Sequence, residues 1–167
     1  IVKNKSSNVG GLAGNAYSDD SLIKSSYSLL KVEGGSRVGG LIGENSGIVE
    51  TVYAAGGVDE GGAIVGHNIG ETTVRNSYFD TYASGQQVGV YSGDTAVAVE
   101  GLSAYDMVDE GSFSGADWNF ADTWSFTVKD GDTSYPHLGW QSDYLPFPQK
   151  FYLDLKTKPV IEAGKIA

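Results

Sequence analysis

At 167 residues, 40% hydrophobic and 11% aromatic, the chain is long enough for one domain with a buried core and too apolar for a disordered segment. A net charge of −10, with no basic cluster among 11 Lys and Arg, argues against nucleic acid as a partner, and no apolar run is long enough for direct membrane insertion. The lack of cysteine excludes a disulfide framework and thiolate metal sites, and 24 glycines without a Gly-X-Y period point to tight turns rather than collagen.

The sequence begins at Ile1, and residues 1–8 read as the polar tail of a repeat in a piece of a longer chain. Three copies of one phrase follow. Gly10-Gly11-Leu12-Ala13-Gly14, Gly39-Gly40-Leu41-Ile42-Gly43 and Gly62-Ala63-Ile64-Val65-Gly66 each lead into a polar turn and a serine- or β-branched run, and then to Tyr27, Tyr53 and Tyr78 respectively. The last glycines step by 29 and 23 residues and the tyrosines by 26 and 25, a spacing that marks a stacked solenoid. Helical repeats are excluded, because each interior glycine would cost a helix about 1 kcal/mol. The glycine pairs predict either a turn with positive φ or a close backbone approach. Ile48 to Tyr53 alternates as a half-buried strand, and equal positions in successive coils stack the three tyrosines about 4.8 Å apart.

After residue 84 the pattern stops. Residues 85–100 read as an irregular loop or hairpin. Ser103 and Asp106 form a capping box that predicts one short helix over 104–110. From Phe113 to Trp140 the chain is aromatic: Trp124–Val128 reads as a strand, Asp130-Gly131-Asp132 as its turn and Tyr135–Leu138 as the return. A solenoid needs an atypical end, so this segment is expected to cover the last open coil. Residues 142–167 read as a linker or lead-in strand to a following domain. The expected architecture is therefore an all-β, parallel β-helix-like solenoid (residues 1–84) with an aromatic C-terminal cap (85–141). An open β-edge at residues 1–8 would tend to pair with another chain.

The stretch VGGLIGENSGIVETVYAAGGV at 38–58, followed by NSYFDTYASGQ at 76–86 and WSFTVKDGDTSYPHLGWQ at 124–141, resembles the bacterial GLUG-motif repeats. The third copy departs from the pattern at Gly61 and Ala63. The resemblance implies a β-solenoid module of large secreted or cell-surface bacterial proteins, among them filamentous-haemagglutinin-like adhesins and secreted peptidases of the IgA-cleaving kind. The structural signature it carries over is Gly11, Leu12, Gly14 and Tyr27, then Gly40, Leu41, Gly43 and Tyr53, then Ile64, Gly66 and Tyr78. It carries no catalytic residues.

No enzyme constellation is legible, and no cofactor is implied. His67 and His137 lack metal-ligand spacing, and the acidic pairs at 19–20, 59–60 and 109–110 sit in turns. Asp130 and Asp132 match only the beginning of a calcium loop. One candidate ligand surface is an aromatic platform of Trp118, Trp124, Tyr135 and Trp140, set against the alternative that these rings are buried bulk. The expected function is a non-catalytic adhesin or stalk module, or else a substrate- or carbohydrate-recognition module of a secreted enzyme. Its expected partners are other domains of a longer surface protein and a host protein, matrix protein or glycan.

Overall fold

A computed structural model describes residues 1–141 apart from 6, 71–72, 95, 114–116 and 130. The linker reading at 142–167 lies outside the described residues. Strand β1 (Val2–Lys3) precedes four stacked coils. Coil 1 contains β2 (Ser7–Gly10), β3 (Ala13–Ala16), β4 (Leu22–Ser28) and β5 (Val32–Glu33). Coil 2 repeats it with β6 (Ser36–Gly39), β7 (Ile42–Asn45) and β8 (Ile48–Ala54). Coil 3 has β9 (Gly61–Gly62), β10 (Val65–Asn68), β11 (Val74–Asp80) and helix α1 (Thr81–Ser84). Coil 4 has β12 (Val90–Gly93) and β13 (Val97–Leu102). All pairings between coils are parallel, giving sheets ordered β2-β6-β9, β3-β7-β10-β12 and β4-β8-β11-β13. The solenoid and its register follow the sequence repeat. The stack is one coil longer than the repeat suggests, because residues 85–102 continue it rather than forming an irregular loop.

The glycines act through close approach. A Cβ on Gly10, Gly39 or Gly62 would lie 2.2, 2.0 or 2.0 Å from the carbonyl oxygen three residues on, so only glycine fits this corner. Positive φ falls on other residues. Asn8, Arg37 and Glu60 hold one left-handed corner in coils 1 to 3, and Ser25, Thr51, Asn76 and Ala98 hold a second inside each long strand. Gly43 and Gly66 lie against the backbone of Asn8 and Arg37 in the preceding coil, where a Cβ would meet carbonyl carbons at 2.4 and 2.3 Å. Repeating the corner thus requires repeating the glycine one coil further on.

Between the corners the interior fills with Leu41, Ile42, Val49, Val52, Ile64, Val65 and Val74, all fully buried. Both Leu41 and Ile42 are buried in this core. The turns after β7 and β10 are sealed by a pair of buried amides. Asn45 Nδ2 donates to Asn68 Oδ1 at 2.9 Å and to the Gly47 carbonyl at 2.8 Å, and Asn68 Nδ2 reaches the carbonyls of Gly70 and Asp94. Burying these amides is tolerable because each is hydrogen-bonded. Coil 4 is narrower. Gly89 and Gly101 leave room for Val99 and for the ring of Phe79, which leans from coil 3 toward the end of the stack.

Two helical details differ from the sequence reading. The capping box forms, with Asp106 N donating to Ser103 Oγ at 3.2 Å and Ser103 N to Asp106 Oδ2 at 3.3 Å. It opens two 3-10 turns, Asp106–Val108 and Glu110–Phe113, instead of one helix over 104–110. The α-helix is α1, capped by Asp80 Oδ1 and closed by Gly85 at φ +70°.

The aromatic segment forms β14 (Trp124–Ser125), a hairpin of β15 (Val128–Lys129) and β16 (Asp132–Thr133), and β17 (His137–Leu138), which pairs antiparallel with β14. It does not lie over the last coil. Its rings pack on the tyrosine flank of the long-strand sheet, against Tyr27, Tyr53 and Tyr78 of coils 1, 2 and 3. Among the described residues, the opening at the end of coil 4 is lined by Phe79 and by residues between Gln87 and Gly101. The reason is chemical. Tyr27, Tyr53 and Tyr78 form a column of outward rings, and covering it with the aromatic segment removes apolar surface from water, while coil 4 is already filled by Phe79 and Val99.

Candidate interaction surface

Tyr27 and Tyr53 stack with ring centroids 5.0 Å apart and planes within 3°. Tyr53 is fully buried, and its hydroxyl donates to the Pro136 carbonyl at 2.7 Å. Burial, helped by the neighbouring Tyr27 and Tyr135, pushes its hydroxyl well above the ordinary tyrosine range. Tyr78 follows in register and meets Phe113 and Trp118 edge-on. Tyr27 donates to Gln141 at 2.9 Å, Tyr135 donates to the buried Asp80 carboxylate, and Trp118 Nε1 donates to the Asn76 carbonyl at 2.9 Å. The flank is thus braced at coils 1, 2 and 3 by one segment.

This packing removes the four-residue platform. Trp118, Trp124 and Tyr135 are buried, with Trp124 and Tyr135 each 1% exposed, and only Trp140 stands in solvent at 78%. A Trp140→Phe variant should therefore show blue-shifted tryptophan emission that soluble quenchers barely reach. Red, readily quenched emission from that variant would contradict the burial.

What remains open beside the flank is a groove of 920 Å³ lined by Lys24, Glu110, Asp117, Asn119, Phe120 and Thr123, among others. Phe120 is half-buried and stacks on Phe126 at 5.1 Å, so an aromatic ring sits among two carboxylates, an amide and an ammonium. Such a mixture suits a neutral polar ligand with one apolar face better than a charged one. Sequence reasoning missed this groove because Lys24 and Asp117 belong to different parts of the chain.

Along the outer face run columns of charge. Glu50 accepts from Lys24 Nζ at 2.9 Å and from Arg75 Nη2 at 2.7 Å, one carboxylate between two cations on successive coils. Lys24 first, and then Arg75, hold its carboxyl below the ordinary range against the opposing effect of burial. In the same way Lys3, then Lys31, pull the Glu33 carboxyl down to about 2. A depressed carboxyl binds its proton less readily in the folded state than in the unfolded one. Its stabilisation is therefore present at neutral pH and fades as pH falls below about 4.3. Urea midpoints of wild type should drop over that acid range more steeply than those of Glu50→Gln. Parallel curves would show that the Glu50 ion pairs do not stabilise the fold.

A second column aligns Asn15, Glu44, His67 and Ser92. The residue types are those of a hydrolase triad, and the wiring is different. Ser92 Oγ donates to the Gly66 carbonyl at 3.1 Å, so His67 Nδ1, 3.0 Å away, faces a hydroxyl whose proton is already committed. Glu44 is paired with Arg37. His137 is buried and bonded to Thr127, and Asp130 of the calcium reading lies outside the described residues. Among the described residues no group of three or more His, Asp or Glu is placed to hold a metal ion. No helix among them is long and apolar enough to cross a membrane.

No family model matches the chain, and no solved structure matches it. A protein of Evansella cellulosilytica bearing the name Gly-rich membrane protein is 37% identical over 143 residues, covering 75% of this chain. The chain spans only 15% of that relative's length.

Proposed function

We propose that this chain is a non-catalytic repeat module of a large bacterial cell-surface or secreted protein of the GLUG-motif kind, serving as stalk and interaction surface. The observation that carries the reading is the position of the aromatic segment. By bracing the flank at three coils it stiffens the stack, while leaving the edges of β3 and β4 at one end and β12 and β13 at the other without strand partners among the described residues. A stack built this way suits continuation and display. The similarity to a much longer protein with membrane in its name fits the same placement. The test is to coat beads with the chain, challenge them with matrix proteins and a glycan array, and analyse the supernatants by mass spectrometry. Retention without chemical change is the expected result, and turnover of any ligand would contradict a non-catalytic module.

A second reading, carbohydrate recognition, rests on the groove beside Phe120. Under it, Phe120→Ala should abolish glycan retention while leaving the fold intact. Retention that survives this change would place the contact elsewhere.

A further inference from the structure

We propose that the coil-4 end of the stack is a docking site for an extended, lysine- or arginine-bearing segment of another protein, which adds to it as a parallel strand. At its centre is a pair of backbone donors that the repeat itself aligns. At the corner of each coil two successive N–H groups converge on one carbonyl of the next coil. Leu12 and Ala13 donate to the Leu41 carbonyl, Leu41 and Ile42 to that of Ile64, and Ile64 and Val65 to that of Gly89, at 2.9 to 3.1 Å. The next pair in this series is Gly89 and Val90, because Val90 continues the register of Ile42 and Val65. Among the described residues no strand follows β12 in its sheet, so the repeat turns these two N–H groups out of the end of the stack. Two donors aimed at one oxygen specify where a carbonyl must sit, and with it the register of an added strand. This end is made by the fold: past Leu102 the chain turns back along the flank and reaches Tyr27 of coil 1 at Gln141.

The surroundings fit the same occupant. An opening of 420 Å³ is lined by Phe79, Val90, Ala96 and Val99, among others, and the two valines are only partly buried. Ile42 and Val65 of the same column are fully covered, so an apolar residue placed over Val90 would extend the core by one layer. Charge then selects among extended chains. Between Arg75 and Lys129 every charged residue is acidic, and coil 4 carries Asp94 and Glu100, both exposed. That field opposes a carboxylate on the two N–H groups and favours a neutral peptide carbonyl flanked by cations. The register of coil 4 on coil 3 continues through Gly93 to Asp94, four residues beyond Val90. The basic residue therefore belongs four positions after the apolar one.

Amide NMR titration of the isotope-labelled whole chain tests this, using short synthetic peptides of threonine and valine. One carries lysine four residues after a central valine, and the other carries glutamate there. The lysine peptide should saturate with its largest shifts at the Gly89 and Val90 amides, and the glutamate peptide should bind at least about tenfold more weakly. Asp94→Asn, which keeps an acceptor for Gly70 N, should lose most of that preference. N-methylation of the lysine peptide at the residue after the valine removes a ladder N–H and should abolish binding. No binding, equal binding of the two peptides, binding that survives N-methylation, or shifts centred on Phe120 would overturn the proposal. So would Gly89 and Val90 amides already protected from hydrogen exchange in the free protein. Protection in the monomer would assign the edge to residues 142–167, and protection that grows with concentration would assign it to a second copy. The inference rests on the reading of the chain as an interaction module, and the bead assay separates the two. Beads that retain glycan or matrix protein while the peptides fail would remove this site and leave that reading standing.

Discussion

Replacing Trp124 with alanine should destabilise the protein by about 3–5 kcal/mol, the range for emptying a large aromatic site in a packed core. Trp124 lies 4.7 Å from Trp118 in a stacked pair and about 6 Å from both Tyr27 and Tyr53. It touches coils 1 and 2 and the centre of the aromatic segment at once. Its Nε1 has no hydrogen-bond partner among the described residues, so Trp124→Phe keeps most of the packing and loses none of the described bonds, and should cost clearly less. Trp140→Ala, at an exposed site, should stay within about 0.5 kcal/mol of wild type. Urea unfolding followed by circular dichroism ranks the three. Equal effects of the Trp124 and Trp140 alanine variants would show that the flank is not packed as described.

Gly39→Ala should be more damaging still, costing at least about 3 kcal/mol and preventing folding in a domain of ordinary stability. The added Cβ would lie 2.0 Å from the Ile42 carbonyl oxygen, 2.7 Å from Gly66 N and 2.8 Å from the Ile64 carbonyl oxygen. All three are backbone atoms of the same or the next coil, so no side chain can swing away to relieve the overlap. Gly57 is the matched control. A Cβ there would meet nothing nearer than the Lys31 Cγ at 3.4 Å, and Gly57 is not among the positive-φ glycines. Gly57→Ala should be neutral or stabilising by about 0.4–1 kcal/mol, because it removes unfolded-state freedom without new strain. Thermal melts of the pair separate glycine as spacer from glycine as mere loop composition.

Those two positions also show what the sequence made legible. The repeated Gly-Gly-Leu phrase and the tyrosine spacing specify coils, register and the stacked ring column, because identical residues in a stack must meet identical neighbours. Asp130-Gly131-Asp132 between two alternating runs likewise points to the hairpin and the return at β17, which the structure contains. Coil 4 was hidden because Gly89-Val90-Tyr91 keeps the geometry of Ile64-Val65-Gly66 without its letters. Helix α1 was readable in principle, since Asp80 and Gly85 bracket it as cap and stop.

The flank was not readable. Buried bulk at the end of a coil and buried bulk along its side call for the same aromatic composition, and only the three-dimensional column of Tyr27, Tyr53 and Tyr78 decides between them. The groove at Lys24 and Phe120 exists only because of that choice, so it could not be inferred from spacing either. Left-handed backbone at Asn8, Arg37, Ser25 and Thr51 was equally hidden, because glycine was the natural place to expect it.

The position of the aromatic segment decides how the stack is covered, and nuclear Overhauser contacts from the Trp124 indole test it directly. The ring stands 6.2 Å from Tyr27 and 5.9 Å from Tyr53, centre to centre, so cross-peaks from its protons to both tyrosine rings are expected. Tyr27 belongs to coil 1, which a segment covering coil 4 would not reach. Cross-peaks from the indole to Val90 and Val99 instead, with none to Tyr27, would contradict the flank brace and the open-ended module built on it.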